Sequence, residues 1–182
     1  FLRLRKAAAE IGDEGIRMYL GCELHSSMDM TDCLKKGERL TMAGSRYVLV
    51  EFRTTDEKSY IRERVQALIR RGYYPIIAHV ERYRSVVKGG LDFIDELRDM
   101  GAYIQMNADS IIGEDGFMLK RFCKKVIKEE MLDFVGSDGH DMAKRTPHIG
   151  KCYDKIEKMM GTDYADMIFI SNPECIIHNE RF

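Results

Sequence analysis

A parallel α/β fold is predicted by two features of this sequence. Short β-rich runs alternate with longer segments whose apolar residues recur at helical spacing, which is the rhythm of βα units. The runs are also nearly continuously apolar, as expected where helices or barrel packing cover both faces of a parallel sheet. In chain order the predicted strands are MYLGCEL, YVLVEF, PIIAHV, AYIQMN and DFVGSD, and the first residues, from Phe1, read as a helix. The clearest helical segments between strands are EKSYIRERVQALIRRG and LDFIDELRDMG. Gly72 and Gly101 fall just after LIRR and LRDM, where a left-handed cap closes a helix, and the next strand follows each within a few residues.

Composition bounds the function. A chain of 182 residues with 45% hydrophobic content and no linker-like stretch is expected to fold as one domain over residues 1–182. Its 29 basic residues against 30 acidic ones give no excess positive charge for a phosphate backbone, so nucleic acid is not an expected partner. No apolar run approaches the roughly 18 to 20 residues of a membrane span, and the opening FLRLRKAAAEIGDEG lacks a signal core. A cytoplasmic protein, not embedded in a membrane, is expected. The five scattered cysteines form no CxxC pair and fit reduced thiols. Cys22 adjoins Glu23, but GCELHSSM has no arginine to complete an anion-binding loop, which argues against a cysteine nucleophile.

The polar residues gather where chemistry is built. Glu23 is expected to end the first strand, Glu51 the second, His79 the third, Asn107 the fourth, and Asp138 with His140 the fifth. In parallel α/β folds that edge brings distant segments into one crevice. A carboxylate after four apolar residues is costly to desolvate unless a cation or hydrogen bonds meet it, so several in one structural position point to a metal centre. Carboxylate and imidazole donors without thiolate suit a catalytic site for zinc, manganese or iron. Metal-assisted phosphoester hydrolysis is a reaction such a set serves. Arg82 follows His79 in AHVERY and Arg145 follows Asp138 in SDGHDMAKRTPH, and guanidinium forks match phosphate oxygens. The competing assignment pairs these arginines with nearby acids such as Glu81 or Asp141.

The strings GCEL, YVLVEF, PIIAHVERY and GSDGH followed by RTPH resemble, in order and spacing, the motifs of the bacterial protein-tyrosine phosphatases of the polymerase and histidinol phosphatase (PHP) superfamily. The likeness runs from Phe1 to the closing FISNPECIIHN, and AHVERY with SDGH is its most specific part. It implies a distorted TIM-like (β/α)7 barrel of about seven βα units. It implies that Glu23 bridges metals, that Glu51, His79, Asp138 and His140 are further ligands, and that Arg82 and Arg145 hold phosphate. Manganese is the expected ion, with iron or zinc as alternatives, in a cluster of about two or three. The implied substrate is the phosphotyrosine tail of a tyrosine kinase that controls capsule or exopolysaccharide synthesis. Another PHP phosphatase, such as a histidinol phosphatase, or a non-catalytic phosphotyrosine-binding module are the alternatives.

The sequence departs from that family in lacking an opening His-x-His strand, the acidic glycine turn after it and a further strand-end histidine. An N-terminal portion, and with it the first strands of the barrel, is therefore expected to be missing, with weak metal binding and slow turnover by these residues alone. His25 has no partner histidine two residues away and is not expected to substitute. Of the rest, His148 is expected to cap a helix or face solvent, His178 to face solvent, and Tyr47 and Tyr83 to pack in the core.

Overall fold

The computed structural model describes residues 2–10, 17–141, 143 and 146–182. Strands β1 (Glu23–His25), β2 (Tyr47–Glu51), β3 (Tyr74–Ile77), β4 (Tyr103–Asn107) and β5 (Phe134–Gly136) pair in parallel, in the order of the chain. Right-handed crossovers between consecutive strands all land on the same side of such a sheet. The helices accordingly form one layer: α3 (Lys58–Arg70), α4 (Arg84–Asp99) and α6 (Phe117–Lys128) cover Val48, Val50, Ile77, Ile104 and Met106. α3 forms because Ile61, Val65 and Leu68 recur on one face and are wholly buried. Each such side chain contributes roughly 1.5–3 kcal/mol of burial. Gly72 and Gly101 stop α3 and α4 in the left-handed region, at φ +80° and +97°. α4 begins earlier than its apolar pattern predicts, and Gly90, at φ +65°, interrupts it.

The other face of the sheet carries a smaller cluster of Tyr47, Ile76, Tyr103 and Phe134. A 3₁₀ turn at Met42–Gly44 and helix α9 (Asn172–His178) supply Met42 and Ile176 to it. The preceding elements are α1 (Leu2–Glu10), α2 (Met30–Lys35) and α5 (Ala108–Ile112), with α7 (Ile149–Met160) and α8 (Thr162–Asp166) leading to α9. Phe182 closes the end of this face, 4.8 Å from the Tyr103 ring and 5.8 Å from that of Phe134.

One strand differs from expectation. Glu23 begins β1 rather than ending it, because the apolar residues before it do not join the ladder: the Leu20 carbonyl accepts instead from Ala43 N–H in the 3₁₀ turn, at 2.8 Å. Register with β2 starts at Glu23 opposite Leu49.

Candidate metal centre

Alternation along each strand decides which residues meet on the face away from the helices. β2 presents Tyr47, Leu49 and Glu51 there, and β4 presents Tyr103, Gln105 and Asn107. Each strand thus starts aromatic and ends polar. β1 is in register through Glu23 opposite Leu49 and His25 opposite Glu51, so both its polar residues face the same way. Glu23 consequently reaches the polar edge from the start of its strand.

Three donors converge there. Carboxylate oxygens of Glu23 and Glu51 and a ring nitrogen of His79 all lie within 4.8 Å of one another. His79 Nε2 is 3.0 Å from Glu23 Oε1 and 3.6 Å from Glu51 Oε2. His79 follows the last residues of β3 at φ +32°, a left-handed conformation that strains a non-glycine residue. Its N–H donates to Gln105 Oε1 at 2.6 Å, and the Tyr83 ring packs edge-on against the imidazole. Burial opposes a charge on His79, but the hydrogen bond and charge of Glu23, with Glu81 behind, outweigh it and raise the imidazole above its usual range. Two carboxylates around one imidazole call for positive charge, and a borderline divalent ion answers that demand with the same donors. The residues present therefore fit a metal. His25, half-exposed, places Nδ1 3.6 Å from Glu51 Oε1 and adds a fourth donor nearby, a second imidazole.

A second group stands beside the first. Asp138, at φ +49°, accepts from the Asn107 side-chain amide at 3.0 Å and lies 3.3 Å from Arg82 Nη1. The other terminal nitrogen of Arg82 is 3.5 Å from Asp115, whose carboxylate also accepts from the Ser110 hydroxyl. Arg82 is thus held between two acids, neither of them Glu81. Glu81 turns into the core and accepts from Asn107 N–H at 3.1 Å, and burial raises its carboxyl above the usual carboxylate range despite that bond. Glu23, His79, Asn107 and Asp138 line one cavity of about 260 Å³, floored by Leu49, Ile76 and Phe134. His140 is 57% exposed in its side chain, and its Nδ1 lies 2.8 Å from the Asp138 carbonyl oxygen.

The structure therefore brings Glu23, Glu51 and His79 into one triad and sets Asp138, His140 and Arg82 next to it rather than in it. Arg145 lies outside the described residues. His148 precedes α7 but makes no capping bond with its side chain. Its Nδ1 sits 2.7 Å from Asp109 Oδ1 and its Nε2 3.0 Å from Thr146 Oγ1. Sequence reasoning missed Gln105, Asp109 and Asp115. Only Gln105 carried a signal, two residues before Asn107 and so on its face.

A family model for capsular polysaccharide synthesis, CpsB/CapC, matches residues 1–178. The tyrosine-protein phosphatase CpsB of Streptococcus pneumoniae is 31% identical over 185 residues, spanning 99% of this chain and 75% of that protein. CpsB of Streptococcus agalactiae serotype III is 30% identical over 179 residues, 96% of this chain and 73% of its own. A chain from the crystal structures of YwqE of Bacillus subtilis and CpsB of S. pneumoniae, described as metal-dependent tyrosine phosphatases, superposes with a TM-score of 0.88. It is 26% identical, and the match covers 99% of this chain and 72% of that one.

Proposed function

This chain belongs to the CpsB/CapC family of capsular polysaccharide synthesis proteins, and from that premise we propose how its polar edge works. The protein is a metal-dependent tyrosine phosphatase, hydrolysing phosphotyrosine on the kinase that controls capsule or exopolysaccharide synthesis. The observation that carries the reading is the convergence of Glu23, Glu51 and His79 within 4.8 Å at the edge of a parallel sheet, with an arginine beside them.

In this reading Glu23, Glu51 and His79 hold one divalent transition metal, with manganese first in preference and iron or zinc after it, and Asp138 and His140 serve a neighbouring ion. Bound there, such ions supply Lewis acidity to a water and to the phosphoryl oxygens. The chain's own residues do the positioning. Arg82, tethered by Asp115 and Asp138, offers a fixed guanidinium plane to the non-bridging phosphate oxygens. Gln105 holds the His79 backbone, and the Asn107 amide holds the Asp138 carboxylate. Leu49, Ile76 and Phe134 keep the cavity floor apolar, where electrostatic interactions strengthen. Arg145 is assigned the same phosphate-binding duty as Arg82. The consecutive strand order, with α3, α4 and α6 on one face, supports a distorted barrel formed by a single domain. The substrate is taken to be a cytoplasmic phosphotyrosine tail, and no helix among the described residues is long and apolar enough to cross a membrane.

The test compares a phosphotyrosine peptide with histidinol phosphate, before and after chelation and with manganese, iron or zinc restored. Hydrolysis of the peptide that is lost on chelation and regained with metal is expected. Activity that survives exhaustive chelation but disappears in Cys22→Ser would overturn the reading.

A further inference from the structure

On the outer layer of helices, away from the sheet face that carries the metal triad, a cavity of about 250 Å³ opens between α6 and α7. Its apolar surface comes from Ile111, Ile127 and Met159. Its rim is cationic: Lys120 and Lys124 stand one turn apart on α6, and Lys155 and Lys158 share a face of α7. No acidic residue lines it, and among the described residues no carboxylate forms an ion pair with any of the four lysines.

Lysines commonly lay their stems over apolar surface and keep their heads in water. Two observations separate this cluster from that arrangement. The Lys155 ammonium is turned inward, donating to the carbonyls of Ile111 at 2.6 Å and Ile112 at 3.0 Å at the end of α5. Lys120 is folded back over Gly113, its Cδ 2.7 Å from where a β-carbon would stand, and its charge acts on Lys155. Burial and then Lys120 itself make Lys155 harder to protonate than an ordinary lysine. Like charges brought together without counter-charges destabilise the fold, and a bound anion relieves them.

We propose that this cavity binds a phosphomonoester attached to an apolar carbon scaffold. Three ammonium groups, on Lys120, Lys124 and Lys158, are not engaged with acids and match the three acceptor oxygens and near-double charge of a phosphate. The floor of Ile111, Ile127 and Met159 receives the carbon. Lys155, committed to α5, holds the two helices in place. Inorganic phosphate shares the anionic chemistry but not the carbon, so the two can be told apart. The proposal is independent of the metal centre, and either can fail without the other.

The test labels methionine methyl groups with carbon-13 in the full metal-loaded chain and titrates phenylphosphonate, which cannot be hydrolysed, alongside inorganic phosphate. Met159 reports this cavity and Met42 the one beside the triad, each assigned by its leucine variant. Met159 is expected to shift saturably, and at lower concentration with phenylphosphonate than with phosphate. Lys124→Gln and Lys158→Gln should each weaken that titration roughly two- to fivefold, the size of one exposed charge contact. Lys124→Arg should preserve it. The proposal is overturned if Met42 moves while Met159 does not, or if phosphate binds as tightly as phenylphosphonate. It is equally overturned if the glutamine variants alter the melting temperature and leave the Met159 titration unchanged.

Discussion

The two ends of the sheet treat their buried charged groups differently. At the end where the strands begin, the groups around Asp133 are matched, although the buried Tyr164 hydroxyl has no hydrogen-bond partner among the described residues. Asp133 accepts from Ile104 N–H at 2.7 Å and pairs with Arg98 at 3.3 Å, while its carbonyl accepts from the Asn172 amide. The hydroxyls of Tyr47 and Tyr103 donate to the carbonyls of Glu180 and Phe182. At the end where the strands finish, His79 and Asp138 take up left-handed backbone conformations, two carboxylates crowd one imidazole, and His79 Nδ1 and Glu81 Oε2 are buried with no partner among the described residues. Unpaired buried groups and strained residues of this kind each destabilise by about 1–3 kcal/mol. Left-handed residues occur at both ends, Ala43, Glu130 and Asn179 at the first, so what sets the second apart is the crowding of carboxylates on one imidazole, which a fold alone would not require.

Substitutions at the two ends should therefore separate turnover from stability. The largest effect is expected for His79→Ala, which removes the donor lying between Glu23 and Glu51. Turnover of a phosphotyrosine peptide should fall on the order of a thousandfold, about 4 kcal/mol of transition-state stabilisation, and metal content should fall with it. A variant that keeps both would break the contrast. Arg82→Lys comes next: the charge stays but the planar fork is lost, and misorientation alone removes about a hundredfold in rate. Metal content by elemental analysis should stay near wild type, and Arg145→Lys should behave alike. Near wild-type hydrolysis by both lysine variants would sink the arginine clamp. At the opposite end, Asp133→Ala strands the Ile104 N–H and the Arg98 guanidinium. The expected cost is about 2 kcal/mol, read as a fall in Tm of roughly 4–8 °C, with turnover per folded molecule unchanged.

Much of the first end and part of the second were legible in the sequence. Helical periodicity located α3, and Gly72 and Gly101 marked helix ends, because these signals are local. The polar edge was visible as a rule of position, a charged or amide residue after an apolar run. That rule misplaced Glu23 in its strand, since MYLG has the composition of a strand while its Leu20 carbonyl bonds the 3₁₀ turn. It also could not rank the residues it found. Glu51 and His79 meet because β2 and β3 are adjacent, whereas Asp138 is drawn away by Asn107 and Arg82. Asp115 against Arg82 and His148 against Asp109 join segments far apart in sequence, and neither acid differs from a solvated one until the chain is folded. His25 was set aside for want of a second histidine, yet alternation along β1 alone carries it to Glu51.

The smallest expected effect tests whether the two ends are mechanically joined. Gly136, the last residue of β5, sits against the Gln105 side chain so closely that a β-carbon there would overlap Gln105 Nε2. At a surface, a glutamine amide would swing aside at little cost. Here the amide is buried and committed: Oε1 accepts from His79 N–H, and Nε2 donates to the Met106 carbonyl at 2.9 Å and to Asn107 Oδ1 at 3.1 Å. Gly136→Ala should therefore move Gln105 at the expense of the strained His79 backbone and of Asn107, which holds Asp138. A drop in kcat of about tenfold with KM little changed is expected, together with a loss in Tm of roughly 2–4 °C. Steric displacement of Gln105 as the cause makes a further demand. In the Gln105→Ala background the clash has no partner, so adding Gly136→Ala should change nothing more, and the two effects should be strongly non-additive. If they add instead, alanine at 136 acts through some other contact. If Gly136→Ala alone matches wild type in both kcat and Tm, Gln105 does not position His79, and the strain at the polar edge is sustained by the sheet itself.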